Sequence, residues 1–161
     1  MSETGPEFDV SATQVLSVVG GLLALFVAGL HLFHPQYGLA RLVQILSTDP
    51  GLLVSHPRPA AFVLSAIAIV VGIYLVIFDV ARRPLYLLGI ALMVTYVVGY
   101  VAWHLTGHGG FLPGREPHYH GHGPVETVLN HLLSDGWAAA AVVSETVLAA
   151  ILAILYLQGG E

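Results

Sequence analysis

The stretch AAFVLSAIAIVVGIYLVIF, residues 60–78, contains no charged side chain and decides the fold class. A hydrocarbon layer about 30 Å thick is crossed by about 20 apolar residues in helical form. The run is continuously apolar and lacks the alternation of a membrane β-strand, so a helix is the structure that satisfies its backbone in lipid. Residues 60–78 therefore predict a membrane-spanning α-helix.

Three further apolar runs of similar length occupy residues 13–33, 85–105 and 137–157. The chain of 161 residues is 56% hydrophobic and only 9% charged, a balance that excludes an ordinary soluble domain. Prolines interrupt the pattern at Pro35, Pro84 and the HPRP run at 56–59, where membrane boundaries are expected. We predict a single membrane domain over residues 1–161, an all-α polytopic integral membrane four-helix bundle.

The connection after the first span contains an amphipathic segment at residues 37–47. Leu42 and Ile45 fall on one helical face, whereas Arg41 and Gln44 fall on another. This pattern predicts a short interfacial helix between the first two spans. The alternative is a re-entrant lid packed on the protein.

Composition also limits the chemistry and the partners. The chain has no cysteine, which excludes disulfides and thiolate metal sites. Its net charge of -5 gives no basic surface for nucleic acid. No nucleophile triad, phosphate-binding glycine loop or dinucleotide motif is present, so an enzyme acting on its own is not expected. The expected partners are the lipid bilayer and other membrane subunits or a second copy of the chain.

The membrane orientation is left open by the arginines. Arg82 and Arg83 lie on one side of the predicted bundle, and Arg41, Arg58 and Arg115 lie on the other. This count does not decide which side faces the cytoplasm. We predict a multi-pass protein of the cell membrane.

All nine histidines fall on one side of the predicted bundle, because both long connections lie there. Five of the nine are in or beside the His-rich loop at 106–124, between the third and fourth spans. The histidines are His31, His34, His56, His104, His108, His118, His120, His122 and His131.

Spacing selects the histidines that can converge on a metal. His31 and His34 are three residues apart, and His104 and His108 are four apart, so each pair can share one helical face. His131, before the fourth span, can reach the same region from a third element. Neutral imidazole binds transition metals, which makes these five residues candidate ligands for copper or zinc.

The alternating residues His118, His120 and His122 form a second candidate metal site in the loop. Alternate side chains of an extended segment point the same way, but His-rich tracts are also common as solvated loops. Helical ligands are preorganised and loop ligands are not. We therefore expect any bound metal or haem to involve His31 or His104 before the loop triplet.

Two histidines that face each other across a bundle can also be axial ligands of a b-type haem. His31 and His104 form the best such pair. The small-residue faces of the first two spans have a structural alternative, because small residues allow close packing of membrane helices.

Glu145 lies near the middle of the fourth span, where an ionisable side chain is costly unless it faces protein. Tyr96 and Tyr100 follow a stripe on the third span that leads to His104. We predict that Glu145 faces protein, is protonated at neutral pH and pairs with Tyr96. The alternatives are a proton-handling site and a hydrogen bond that only joins helices.

These features predict two classes of function. The first is a metal- or haem-binding module, associated with a membrane redox or metal-handling complex, with Glu145 as an internal proton acceptor. The second is a non-catalytic accessory subunit of a larger membrane complex.

Overall fold

The computed structural model describes residues 11–118, 121 and 123–158. Within these residues the chain is helical and contains no strand. The elements, in chain order, are α1 (Ala12–Leu32), α2 (Leu39–Thr48), a 3₁₀ turn (Pro50–Leu53), α3 (Arg58–Ile77), α4 (Arg82–Leu105), α5 (Pro124–Ser134) and α6 (Gly136–Gln158).

Helices α1, α3, α4 and α6 are long and apolar enough to cross a membrane. They correspond to the four spans predicted from the sequence, with ends that differ by at most three residues. The prediction of an all-helical chain with four candidate spanning helices is confirmed. Four such helices indicate a multi-pass membrane protein.

Side-chain caps set the starts of α1 and α6. Ser11 Oγ accepts the amide N–H of Gln14 at 3.2 Å, and the Gln14 side chain accepts the amide of Ser11 in return. Asp135 accepts two amides of the first turn of α6. Asp135 also separates α5 from α6, so the predicted lead-in to the fourth span is a distinct helix.

The spanning helices contact one another in the order α3, α1, α6, α4, with a smaller contact between α3 and α4. Small residues allow α6 to approach both neighbours. A Cβ atom added at Gly20 would lie 3.0 Å from Ile151 Cγ2, and one at Gly89 would lie 2.7 Å from Leu152 Cδ1. Gly20 and Gly89 therefore set how closely α1 and α4 pack on α6.

The predicted interfacial segment at 37–47 forms helix α2, which packs on α3. Its Ile45 side chain is buried at 2% exposure, and Arg41 on the polar face is exposed. The helical conformation is confirmed, and its position in the membrane interface stays a prediction.

The histidines that the structure describes lie at one end of the spanning helices, which we call the histidine end. Here α1 and α4 finish and α3 and α6 begin. Trp137 Nε1 donates to the carbonyl of Leu30 at 3.1 Å, which joins the start of α6 to the end of α1. Tyr96 Oη donates to the carbonyl of Ala61, which joins α4 to the start of α3.

Replacing Gly20 by leucine tests the packing of α1 on α6. The new side chain would meet Ile151, and we expect overpacking to lower the free energy of unfolding by about 1–3 kcal/mol. Gly21→Leu is the matched control, because a Cβ at Gly21 has no neighbour within 4 Å. Equal losses of stability for the two variants, measured by unfolding in mixed micelles, would contradict this packing.

Candidate metal site and buried polar network

The most deeply buried polar contact joins α1 to α6. His31 Nε2 lies 2.8 Å from Glu145 Oε1, and each residue is only 2% exposed. The His31 ring stacks on Phe62 with centroids 4.8 Å apart. Glu145 thus faces protein as predicted, but its partner is His31 and not Tyr96.

Ser65 and Tyr96 extend this contact to α3 and α4. His31 Nδ1 lies 3.1 Å from Ser65 Oγ, and the same oxygen lies 2.8 Å from Tyr96 Oη. We call His31, Glu145, Ser65 and Tyr96 the buried network. It contains one side chain from each of the four spanning helices.

The hydroxyl protons of the network are shared among several acceptors. Tyr96 and Ser65 each have one O–H, and the carbonyls of Ala61 and Phe62 accept at 2.8 and 2.9 Å. Ser65 Oγ also contacts Tyr96 Oη and His31 Nδ1, so these contacts are compatible with either tautomer of His31. The 2.8 Å contact between His31 Nε2 and Glu145 Oε1 contains one proton, because an imidazole lone pair and a carboxylate oxygen would otherwise repel each other.

The pairing with His31 was missed because the two residues differ in position along their spans. His31 is in the last turn of α1, whereas Glu145 lies well inside α6. Side chains on a helix tilt toward its N-terminus, so the long Glu145 side chain extends toward the histidine end. Counting residues along each span does not include this tilt.

The predicted haem ligands and the predicted tyrosine stripe on α4 make other contacts in the structure. Both ring nitrogens of His31 are in the buried network, so ligation of haem by His31 would first break its bond to Glu145 or to Ser65. The Tyr100 and His104 rings have centroids 4.3 Å apart and are tilted by 49°, but the Tyr100 hydroxyl is buried without a hydrogen-bond partner among the described residues. Tyr100 therefore does not continue a path of hydrogen bonds from Glu145 to His104.

Three of the predicted metal ligands are brought together at the histidine end. We call His104, His108 and His131 the histidine trio. One ring nitrogen from each lies within 4.8 Å of the others, and Nε2 of His108 is 3.1 Å from Nε2 of His131. The three rings come from the last turn of α4, the following loop and the last turn of α5.

Backbone carbonyls orient all three rings of the histidine trio. The Nδ1 atoms of His104, His108 and His131 lie 2.8, 3.2 and 2.8 Å from the carbonyl oxygens of Tyr100, His118 and Thr127. A carbonyl oxygen only accepts, so each Nδ1 is protonated and each neutral ring has its lone pair on Nε2. This N–H to carbonyl contact is the one that metal-bound histidines commonly make.

His108 is held in a strained backbone conformation. Its φ is +60°, and its neighbours Gly107 and Gly109 have φ values of +65° and +85°. A left-handed conformation costs a non-glycine residue about 1–3 kcal/mol and is frequent at functional sites. The two glycines let the chain turn so that the His108 ring points back toward His131.

His34 has a different environment from the histidine trio. Its Nδ1 accepts the amides of Gln36 and Tyr37 at 3.1 and 3.2 Å, so it closes the turn after α1. Burial, and to a lesser degree the positive charge of Arg58, lowers the pKa of His34 to about 4. Its ring is therefore neutral at neutral pH, and Nδ1 is already used by the backbone.

The loop triplet is only partly described. The His118 side chain is exposed, and its carbonyl orients His108. His120 and His122 lie outside the described residues.

The chain matches no known family model, and no curated protein or solved structure is significantly similar to it.

The buried network makes a prediction about stability. His31→Leu or Glu145→Leu leaves the other partner buried and unpaired, and we expect each to lower the free energy of unfolding by about 3–5 kcal/mol. The double variant removes both polar groups and should recover most of this loss. Glu145→Gln, whose amide still hydrogen-bonds His31, should lose less than Glu145→Leu.

Unfolding in mixed micelles is followed by circular dichroism for all four variants. The wild type, His31→Leu, Glu145→Leu and the double variant form a double-mutant cycle. Additive losses in the double variant would show that His31 and Glu145 do not interact.

Proposed function

We propose that the protein is a membrane metal-binding module whose histidine trio holds one Zn²⁺ or Cu²⁺ ion at the histidine end. The observation that supports this most strongly is the orientation of the rings. All three are oriented by Nδ1–H to carbonyl bonds, and one ring nitrogen from each lies within 4.8 Å of the others. Three imidazoles suit zinc or copper among the common divalent metals.

The 3.1 Å contact between His108 and His131 supports a cation at this position. With both Nδ1 atoms protonated, two neutral rings would place their Nε2 lone pairs against each other. A shared proton or a metal ion removes that repulsion. Two nitrogens bound at about 2.0–2.1 Å to a tetrahedral ion are about 3.3 Å apart, so the observed distance is close to that of a ligated pair.

His104 completes the proposed site with a small movement. The greatest separation within the histidine trio is 4.8 Å, so ligation requires a closure of at most about 1.5 Å. His104 is in the last turn of α4, where a change in side-chain torsion supplies such a shift without moving the helix. Three protein ligands would leave a fourth position of the ion open for water or another ligand.

The site is joined to the membrane domain and not to a separate soluble unit. Helix α5, which contains His131, contacts both α4 and α6. A metal at the histidine trio would therefore lie at the end of the spanning helices, consistent with metal handling or electron transfer in a membrane complex. The second proposed class, an accessory subunit without metal, makes the opposite prediction for metal content.

Metal stoichiometry distinguishes these two functions. The protein is purified in neutral detergent without a polyhistidine tag, loaded with Zn²⁺ or Cu²⁺, desalted and analysed by mass spectrometry of the metal. We expect one ion per chain. In the variant His104→Gln/His108→Gln/His131→Gln, affinity should fall by more than about 100-fold, because even changes to second-shell partners of metal ligands cost 10–100-fold.

The matched control is His118→Gln/His120→Gln/His122→Gln, which removes the same number of imidazoles from the loop. This variant should lose less than about tenfold in affinity, because the backbone carbonyl of residue 118, which orients the His108 ring, is unchanged. A wild-type protein without stoichiometric metal would favour the accessory subunit. A loss confined to the loop variant would move the metal site from the histidine trio to the loop.

A further inference from the structure

A second polar site at the histidine end is formed by arginines. A cleft of about 490 Å³ lies between α2, the turn before it, the start of α3 and the loop after α4. Arg41, Arg58 and Arg115 line this cleft together with Gln44 and His56, and no Asp or Glu is among the described residues that line it. We call it the arginine cleft. It contains three of the five cationic side chains of the whole protein.

Arg58 is held in place by aromatic rings. Its guanidinium carbon lies 3.5 Å from the centre of the Tyr37 ring and 4.1 Å from that of Trp103. Such contacts fix the plane of a guanidinium without using its N–H donors. The buried Nε of Arg58 has no hydrogen-bond partner among the described residues.

Arg115 contacts the same indole from the loop after α4. Its guanidinium carbon lies 4.9 Å from the Trp103 ring centre. Gly109 allows the loop to approach, because a Cβ there would be only 2.4 Å from the Trp103 ring. Two like charges are therefore held on one aromatic side chain, an arrangement that repels unless a negative charge lies nearby.

No carboxylate in the described part of the chain supplies that negative charge. The ion pairs found there join His31 to Glu145 and Arg82 to Asp79, neither of which is in the arginine cleft. Arg41 donates to the side-chain oxygen of Gln44 at 2.7 Å, which is a neutral acceptor. Charged groups at partly buried sites are normally paired, so the arginine cleft has the charge pattern of a site for an anion.

We propose that the arginine cleft binds a phosphate group. Guanidinium groups present planar pairs of N–H donors that match the oxygens of phosphate, and the volume is that of a small-ligand site. The group can belong to an anionic lipid, because the cleft lies beside amphipathic helix α2 at the end of the spanning helices, or to a soluble phosphate. The proposal uses none of the residues of the histidine trio.

The test measures binding of two probes to the full chain in neutral detergent. Native mass spectrometry compares phosphatidylglycerol with phosphatidylcholine of the same acyl chains, and calorimetry measures inorganic phosphate. A lipid site should retain phosphatidylglycerol at least tenfold more tightly than phosphatidylcholine. A soluble-phosphate site should instead bind inorganic phosphate without distinguishing the lipids.

Two double variants with the same change of charge separate the arginine cleft from general surface charge. Arg41→Gln/Arg115→Gln should weaken the bound probe at least tenfold, and it leaves the packed Arg58 in place. Arg82→Gln/Arg83→Gln, at the opposite end of the spans, should change binding less than twofold. Equal losses of binding in both variants would overturn the proposal. It would also be overturned if the wild-type protein bound inorganic phosphate no better than chloride and phosphatidylglycerol no better than phosphatidylcholine.

Discussion

The hydrogen bond between His31 and Glu145 is the interaction on which the arrangement of the spanning helices depends. Lipid offers no hydrogen bonds, so a buried polar side chain must find its partner within the protein. Through Ser65 and Tyr96 this one bond is continued to α3 and α4, and each spanning helix contributes one member. Apolar packing alone would tolerate small rotations of the helices, but the buried network requires one particular set of faces to meet.

The same constraint positions both proposed binding sites. Tyr96 fixes the face that α4 turns toward α3, and two turns later the helix ends with Trp103 and His104. Trp103 then contacts Arg58 and Arg115, while the His104 ring lies against the His131 ring with centres 4.6 Å apart. Neighbouring residues of one helical turn thus serve two different sites. A change in the rotation of α4 would separate the histidine trio and open the arginine cleft together.

Hydropathy and proline positions were sufficient to locate the spans to within three residues, because bilayer thickness constrains helix length so strongly. Of the five histidines predicted to converge, His104, His108 and His131 lie close together, whereas His31 and His34 have other partners. Helix α4 ends at Leu105, so His108 approaches through a left-handed turn and not through a helical face shared with His104. Pairings between distant helices were not accessible in this way. Glu145 was assigned to Tyr96 because nothing local reveals that its side chain extends to His31. The contacts of Arg58 with Tyr37 and Trp103 join three separate segments, and the approach of Arg115 to Trp103 depends on Gly109. Apolar periodicity encodes neither.

We propose that the three imidazoles of the histidine trio bind one metal ion together. X-ray absorption spectroscopy of the zinc-loaded protein tests it most directly, because the fine structure reports the type, number and distance of the atoms around the ion. We predict three imidazole nitrogens at about 2.0–2.1 Å in the wild type, lost in the variant that replaces His104, His108 and His131. A first shell made only of oxygen atoms, or a spectrum unchanged by that variant, would contradict the account.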